Sequence, residues 1–245
     1  MRGKLSERKI KKRLKEGLEI ICLDTTDSTN NEAKRELENG RSAPLLIAAR
    51  EQTAGRGRQG KSFYSPKDTG VYMTLCLPVN ENSGSFLSIT SAAAVAVCRA
   101  IESLGSARPR IKWVNDIYVE NRKVCGILCE RFGDFVIIGI GINLTTSVFP
   151  KDIKRAGALG YGDTNALVAE ITNQLLSLKD CSYPDFIEEY RSRLLLTGKR
   201  ITFIKNGGTL HGLALGVDES CGLMVRLESG EEITLTSGEI SITEF

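Results

Sequence analysis

Residues 111–144 contain three β-favouring runs, IKWVNDIYVE, KVCGILCERF and FVIIGIGINL, separated only by Asn121-Arg122 and Gly133-Asp134. Connections that short suit hairpins and leave no room for a crossover, so the segment predicts an antiparallel meander. Lys112, Asn115, Asp116 and Asn143 are polar residues out of place in such strands, and Gly139 and Gly141 alternate along one face of the last run. Missing side chains on that face let either a flat ligand or a packed helix lie against the sheet.

Upstream, EIICLD and LLIAAR read as strands flanking a helix over DSTNNEAKRELENG, which opens on a cluster of capping residues and closes at Gly40. VYMTLCLP is a further strand ended by Pro78, and residues 85–104 are apolar almost all round, as a buried helix is. The loop GRGRQG, residues 55–60, therefore joins two core strands. Glycines admit a ligand close to the backbone and arginines present forked cationic donors, so this loop suits an anionic substrate as well as a solvated basic turn. Ser6 is placed to cap an N-terminal helix in which Ile10, Leu14 and Leu18 recur at helical spacing. Two helices are expected near residues 164–178 and 183–196. From Lys199 onward, RITFIK, TLHGLALGVD, GLMVRLE, EEITLT and EISITEF are short strands spaced by glycine turns, the pattern of a small SH3-like barrel. The expected fold is α+β, a mixed and mostly antiparallel sheet with helices plus this C-terminal β-barrel, divided at Thr197-Gly198 into residues 1–197 and 198–245.

The net charge of +3 is too small to imply nucleic-acid binding, and residues 1–16, with eight basic and two acidic side chains, hold more than all of it. No apolar run of signal-peptide or transmembrane length follows them, which predicts a cytoplasmic protein with no membrane partner. The seven cysteines lack any C-x-x-C pair and His211 is the only histidine, so the cysteines read as reduced, mostly buried hydrophobes, with no zinc cluster. Cys125 and Cys129 would share one face of a strand.

Four motifs stand in order: DSTN at 27–30, QTAGRGRQG at 52–60, KWVNDIYVENRKVCGIL at 112–128 and GIGIN at 139–143. With the terminal barrel, the set resembles biotin protein ligase, from about Leu23 to the C-terminus. The resemblance implies a class II synthetase-like catalytic domain in which biotin's carboxylate attacks the α-phosphate of ATP. A lysine of a biotin carboxyl carrier domain then takes the biotinyl group. Such chemistry needs positioning and charge stabilisation more than a protein nucleophile, in keeping with the single histidine.

By motif, the resemblance assigns Ser28, Thr29, Asn30 and Gln52 to the ureido ring of biotin, and Arg56, Gly57 and Arg58 to its carboxylate and the adenylate phosphate. Lys123 matches a biotin-contacting lysine. Lys112, beside the carboxylate and α-phosphate, takes the main catalytic role together with Arg58. Asn115, Asp116 and Asn143 fall on the nucleotide side with Lys112 and Arg56. Mg²⁺ is expected on the ATP phosphates, with Asp116 the residue to touch it and no dedicated metal site in the protein. Val114 stands where the family usually has proline, and Phe63 or Tyr64 fills the place of an aromatic that closes over the adenylate; Trp113 is expected in the core. The implied protein is a monofunctional ligase without specific DNA binding, and an exposed meander is compatible with a homodimer. The alternatives are a lipoate or octanoate ligase and, from another class, a non-enzymatic RNA-binding module using the basic N-terminus and small barrel.

Overall fold

A computed structural model of the chain describes residues 4–79, 85–178, 184–205, 207–238 and 240–242; Cys181 and Tyr183 fall outside them. The first element, α1 (Glu7–Lys11), is shorter than the Ile10, Leu14 and Leu18 spacing predicts. Ser6 takes the cap position without a side-chain cap bond, and its N–H donates to Asn165 Oδ1 at 2.7 Å. Asn165 Nδ2 donates in turn to the Lys4 carbonyl at 3.2 Å. Four residues past the helix, the Lys15 N–H donates to Asn173 Oδ1 at 2.9 Å, and Asn173 Nδ2 donates to the Arg13 carbonyl at 3.0 Å. A helix continued past Lys11 would have to give up the two Asn173 bonds. Ile10 is fully buried, and Leu14 and Leu18 pack against the core from outside the helix.

β1 (Glu19–Leu23) and β2 (Leu45–Ala49) are joined by α2 (Thr29–Glu38) and pair in parallel, as a helical crossover requires. The remaining strands are β3 (Gly70–Pro78), β4 (Arg110–Lys112), β5 (Asp116–Val119), β6 (Arg122–Phe132) and β7 (Phe135–Asn143), with α3 (Phe86–Ser103) between β3 and β4. They complete a seven-stranded sheet of order β1-β2-β3-β7-β6-β5-β4 in which every other pairing is antiparallel. The meander expectation holds with one correction. IKWVNDIYVE is not one strand, because β4 and β5 fold back on each other and pair Lys112 with Asp116. The reason is non-local. The Trp113 indole N–H donates to the Cys221 carbonyl at 2.9 Å, while Asn115 exchanges bonds with Ile127 of β6 through its backbone carbonyl at 3.0 Å and its side-chain amide at 2.9 Å. The Trp113–Val114 peptide is cis.

The period-2 alternation of the strands sends side chains to two different partners. Leu46 and Ala48 of β2 join the main core with α3, α4 (Thr164–Leu178) and α5 (Pro184–Arg193), whereas Leu45 and Ile47 pack on Ala33 and Leu37 of α2. α3 is long and apolar enough to cross a membrane by composition, and its burial against α4, α5 and β6 accounts for that apolarity. α5 stops at Arg193, short of the expected end, because the chain there turns to pair with β4: the Leu195 N–H donates to the Ile111 carbonyl at 2.8 Å. The cysteines read as expected among the described residues. All six are free, four of them buried, and burial pushes the Cys76 and Cys98 thiols up to about 12.

β8 (Arg200–Lys205), β9 (Gly208–Val217), β10 (Leu223–Leu227), β11 (Glu232–Leu235) and β12 (Ile240–Ile242) form a second, antiparallel sheet of order β11-β10-β9-β8-β12. Ile201, Phe203, Ala214 and Val225 from this unit belong to the same continuous apolar cluster as the main core. Two polar links reinforce the junction: Trp113 to the Cys221 carbonyl, and Arg191 Nε to the Val217 carbonyl at 3.1 Å. Trp113→Phe leaves a buried carbonyl unpaired and should cost about 1–3 kcal/mol. Urea unfolding of the two proteins measures the difference, and equal midpoints would contradict the assignment.

Candidate active site

A cleft of about 260 Å³ opens over the sheet where β6 and β7 lack side chains. Gly126 and Gly141 pair directly across these strands, and Gly139 is opposite Leu128. A Cβ at Gly139 would sit 2.1 Å from Asn30 Oδ1, and one at Gly141 would sit 2.5 Å from the Phe63 ring. The low floor is thus occupied by one side chain from the start of α2 and one from the loop after GRGRQG. Both sequence readings of the glycines have a counterpart here, since Gly139 takes a residue of the packed helix α2 and all three glycines border the open cleft. Phe63 lines the cleft, whereas Tyr64 faces outward in an edge-on contact with Phe149.

One end of the cleft is neutral and rich in hydrogen-bonding groups. Ser28 occupies the cap position of α2 but makes no cap bond, so its buried hydroxyl is not consumed by the helix. Gln52 satisfies the helix end instead: its Oε1 accepts from the Thr29 N–H at 2.8 Å and the Thr29 hydroxyl at 3.1 Å, and its Nε2 donates to Ser65 Oγ at 2.8 Å. The fully buried Thr74 hydroxyl lies 2.7 Å from Asn30 Oδ1 and 2.8 Å from Thr29 Oγ1. Gly55 is needed here for closeness, because a Cβ would come within 2.4 Å of the Phe63 carbonyl.

The other end is cationic. Arg56, Arg58, Lys61, Lys112 and Lys123 line it, with Asp116 as its one carboxylate among the described residues. The excess of positive charge favours anionic ligands. Arg58 donates to Asn115 Oδ1 at 3.2 Å, which ties the loop to the β4–β5 turn. Lys123 Nζ lies 2.8 Å from Asp116 Oδ1, so two residues assigned to different substrates touch each other. Every residue assigned to biotin, ATP or catalysis from the sequence lines this cleft except Asn143. Asn143 is buried behind it, where its Nδ2 donates to the Gly157 carbonyl at 3.0 Å while the Gly157 N–H donates to the Lys123 carbonyl at 2.9 Å. From the second sheet, Gly238 and Ile240 also reach the cleft.

Sequence reasoning missed Thr74 and Glu130. Thr74 is a lone polar residue in an apolar strand, and Glu130 continues the Gly126, Leu128 face of β6; both signals were present and weak. Burial pushes the Glu130 carboxyl up, but hydrogen bonds from Asn30 and Lys34 and the charges of Lys34 and Arg56 outweigh it and hold it below the usual 4.5. A depressed carboxylate contributes stability above its unfolded pKa and loses it as pH falls through the folded one. Glu130→Gln should therefore be destabilised at neutral pH, and the gap to the parent should close as pH falls below about 4.5. Denaturation midpoints across pH 3 to 7 check this (a window of roughly 1–2 units around the carboxylate range), and a gap that does not vary with pH would refute it.

The description "Biotin/lipoate A/B protein ligase family" matches residues 22–143, and "Biotin protein ligase C terminal domain" matches residues 196–242. The bifunctional ligase/repressor BirA of Bacillus subtilis is 32% identical over 93% of this chain and 76% of its own length. The biotin–[acetyl-CoA-carboxylase] ligase of Paracoccus denitrificans is 30% identical over 86% of this chain and 95% of its own. Among solved structures, the biotin protein ligase from Aquifex aeolicus in complex with biotin and ATP is similar with a TM-score of 0.79 and 29% identity, covering 93% of this chain and 99% of that one. A seven-stranded mixed sheet, a small C-terminal β unit and these relatives agree, and the chain belongs to the biotin protein ligase family.

Proposed function

We propose that the chain activates biotin with ATP and transfers it to a lysine of a biotin carboxyl carrier domain. The observation that carries this reading is the division of one cleft into a neutral, hydrogen-bonding end and a cationic end. Biotin has the same division, a neutral ureido ring at one end and a carboxylate at the other, and the carboxylate must meet a phosphate. Ser28, Thr29, Asn30 and Gln52 hold the ureido plane; their mutual bonds fix the polar groups before ligand arrives, which favours selectivity for a hydrogen-bonding ring over an alkyl chain. The match to a biotin protein ligase C-terminal domain also favours biotin over lipoate or octanoate.

In the first step a carboxylate oxygen of biotin bonds to the α-phosphorus as the bond to pyrophosphate breaks and its electron pair leaves with pyrophosphate. Arg56, the Gly57 backbone and Arg58 hold the carboxylate and phosphate oxygens, Lys123 contacts biotin, and Lys112 stabilises charge gathering at the α-phosphate. Asn115, Asp116 and Asn143 serve the nucleotide side, Asn143 from behind Lys123. In the second step the acceptor amine, having lost its proton to solvent, attacks the acyl carbon and displaces AMP. Mg²⁺ fits a site of this kind when it is carried on the nucleotide phosphates. No cluster of three potential ligands occurs among the described residues, and Asp116 is the carboxylate that would hold it. The ion neutralises phosphate charge. The reading includes a cytoplasmic setting, a carrier domain rather than DNA or a membrane as partner, and an assembly compatible with pairing of two copies.

Biotin-dependent ATP–pyrophosphate exchange tests the first step, with lipoate and octanoate run in parallel. Exchange with biotin is expected, and a preference for lipoate would overturn the substrate assignment. Lys112→Ala should lower exchange by about 10²–10³-fold, the usual cost of one transition-state charge stabiliser, with the circular dichroism spectrum unchanged. Full activity in that variant would move the role elsewhere.

A further inference from the structure

We propose that Glu130 is a positioning residue for the cleft, setting the Asn30 amide and the Arg56 guanidinium in place; this deepens, and rests on, the biotin-activation reading above. Its side chain is only 19% exposed and joins groups from two separate parts of the chain. Asn30 Nδ2 donates to Oε2 at 2.8 Å. Lys34, one turn further along α2, lies 2.9 Å from Oε1. Arg56 reaches Oε1 at 3.2 Å and Oε2 at 3.3 Å and also donates to Asn31 Oδ1 at 3.0 Å.

Two of these contacts, to Asn30 and Arg56, restrict groups that line the cleft. An asparagine amide can flip, and the Thr74 hydroxyl opposite Asn30 could serve either orientation because a hydroxyl both donates and accepts. Glu130, as an ionised carboxylate, only accepts. Together with the longer contact from Nδ2 to the Leu128 carbonyl at 3.4 Å, it therefore selects the orientation with Nδ2 toward β6 and Oδ1 toward Thr74, and so sets which face of the amide a ligand meets. Arg56 has three rotatable carbons before its planar fork, and a loop with glycines on both sides of it does little to aim it. Two carboxylate oxygens and the Asn31 carbonyl hold that plane. Lys34 does not line the cleft. It offsets the remaining charge and separates two roles for Glu130: anchoring α2, which involves Lys34, and aiming the cleft groups, which does not.

The test compares Glu130→Gln, Glu130→Asp and Lys34→Met. In exchange kinetics, Glu130→Gln should raise the KM for biotin about tenfold, with a smaller rise in the KM for ATP because Arg56 also faces the phosphate, and with kcat changed less than about threefold, the pattern of lost uniform binding. Glu130→Asp, which keeps the charge, should recover part of that rise, and Lys34→Met should stay near the parent. An unchanged KM in Glu130→Gln, or the same rise in Lys34→Met, would overturn the proposal. A second measurement needs no ligand: limited trypsin digestion of the folded protein, read as cleavage after Arg56 and Arg58. Glu130→Gln should be cut several-fold faster than the parent and Lys34→Met should not; equal rates would overturn the aiming of Arg56. If the parent protein shows no biotin-dependent exchange, the function proposed above falls, and the digestion still decides the role of Glu130.

Discussion

Three glycines, Gly126, Gly139 and Gly141, lower the floor of the cleft where β6 and β7 pair, and the rest of the site depends on that gap. Gly126, Gly139 and Gly141 set the floor low enough for Asn30 and Phe63 to lie directly on backbone. Because Asn30 begins α2, the same gap determines how deeply the helix N-terminus sits. Because Phe63 closes the loop after GRGRQG, it also determines where both arginines can be. A methyl group at either of the last two positions would meet those side chains well inside van der Waals contact. The glycines are a requirement of close approach, since none of the three has a left-handed φ.

On this floor, charge and neutrality are separated by chain topology. The neutral end is built where α2 meets the turn after β2, with Gln52 of that turn supplying the cap that Ser28 withholds. The cationic end is built where the β4–β5 turn meets the loop, joined by Arg58 and Asn115. The second sheet reaches the cleft beside this turn and holds Trp113 through Cys221. One turn of chain, residues 113–115, thus has contacts to the loop, to β6 and to the C-terminal unit. Such a turn transmits displacement among three parts of the molecule because each contact is a directional hydrogen bond in a packed surrounding.

Much of this was legible in the sequence, for identifiable reasons. Strand and helix periods are local, so α2, α3, α4 and the five short C-terminal strands follow their predicted limits within a few residues. Ordered motifs are also local, and they pointed to nearly all the groups that line the cleft. What escaped notice depends on distant partners. The break at Trp113 is invisible in a continuous β-favouring run because its cause is a carbonyl 108 positions away. The early end of α1 follows from two bonds to the Asn173 amide, about 160 positions on. Glu130 looks like an ordinary surface charge until Lys34, 96 positions earlier, is brought beside it. Lys123 and Asp116 were assigned to separate ligands by motif, and only the register of β5 on β6 shows that they touch.

The docking of residues 4–15 has a consequence for how that segment can vary. Asn165 and Asn173 bond to main-chain N–H and carbonyl groups of the segment, and Leu5, Ile10 and Leu14 supply its apolar contacts among the described residues. The lysines and arginines between those anchors are exposed or half-buried, and the bond that Arg13 donates to the Lys9 carbonyl stays within the segment. Surface charge at this edge of the molecule is therefore separable from folding. Substitution can turn the patch from basic to neutral or acidic while the backbone keeps its path, so selection acting on what the patch meets is free of selection acting on whether the protein folds.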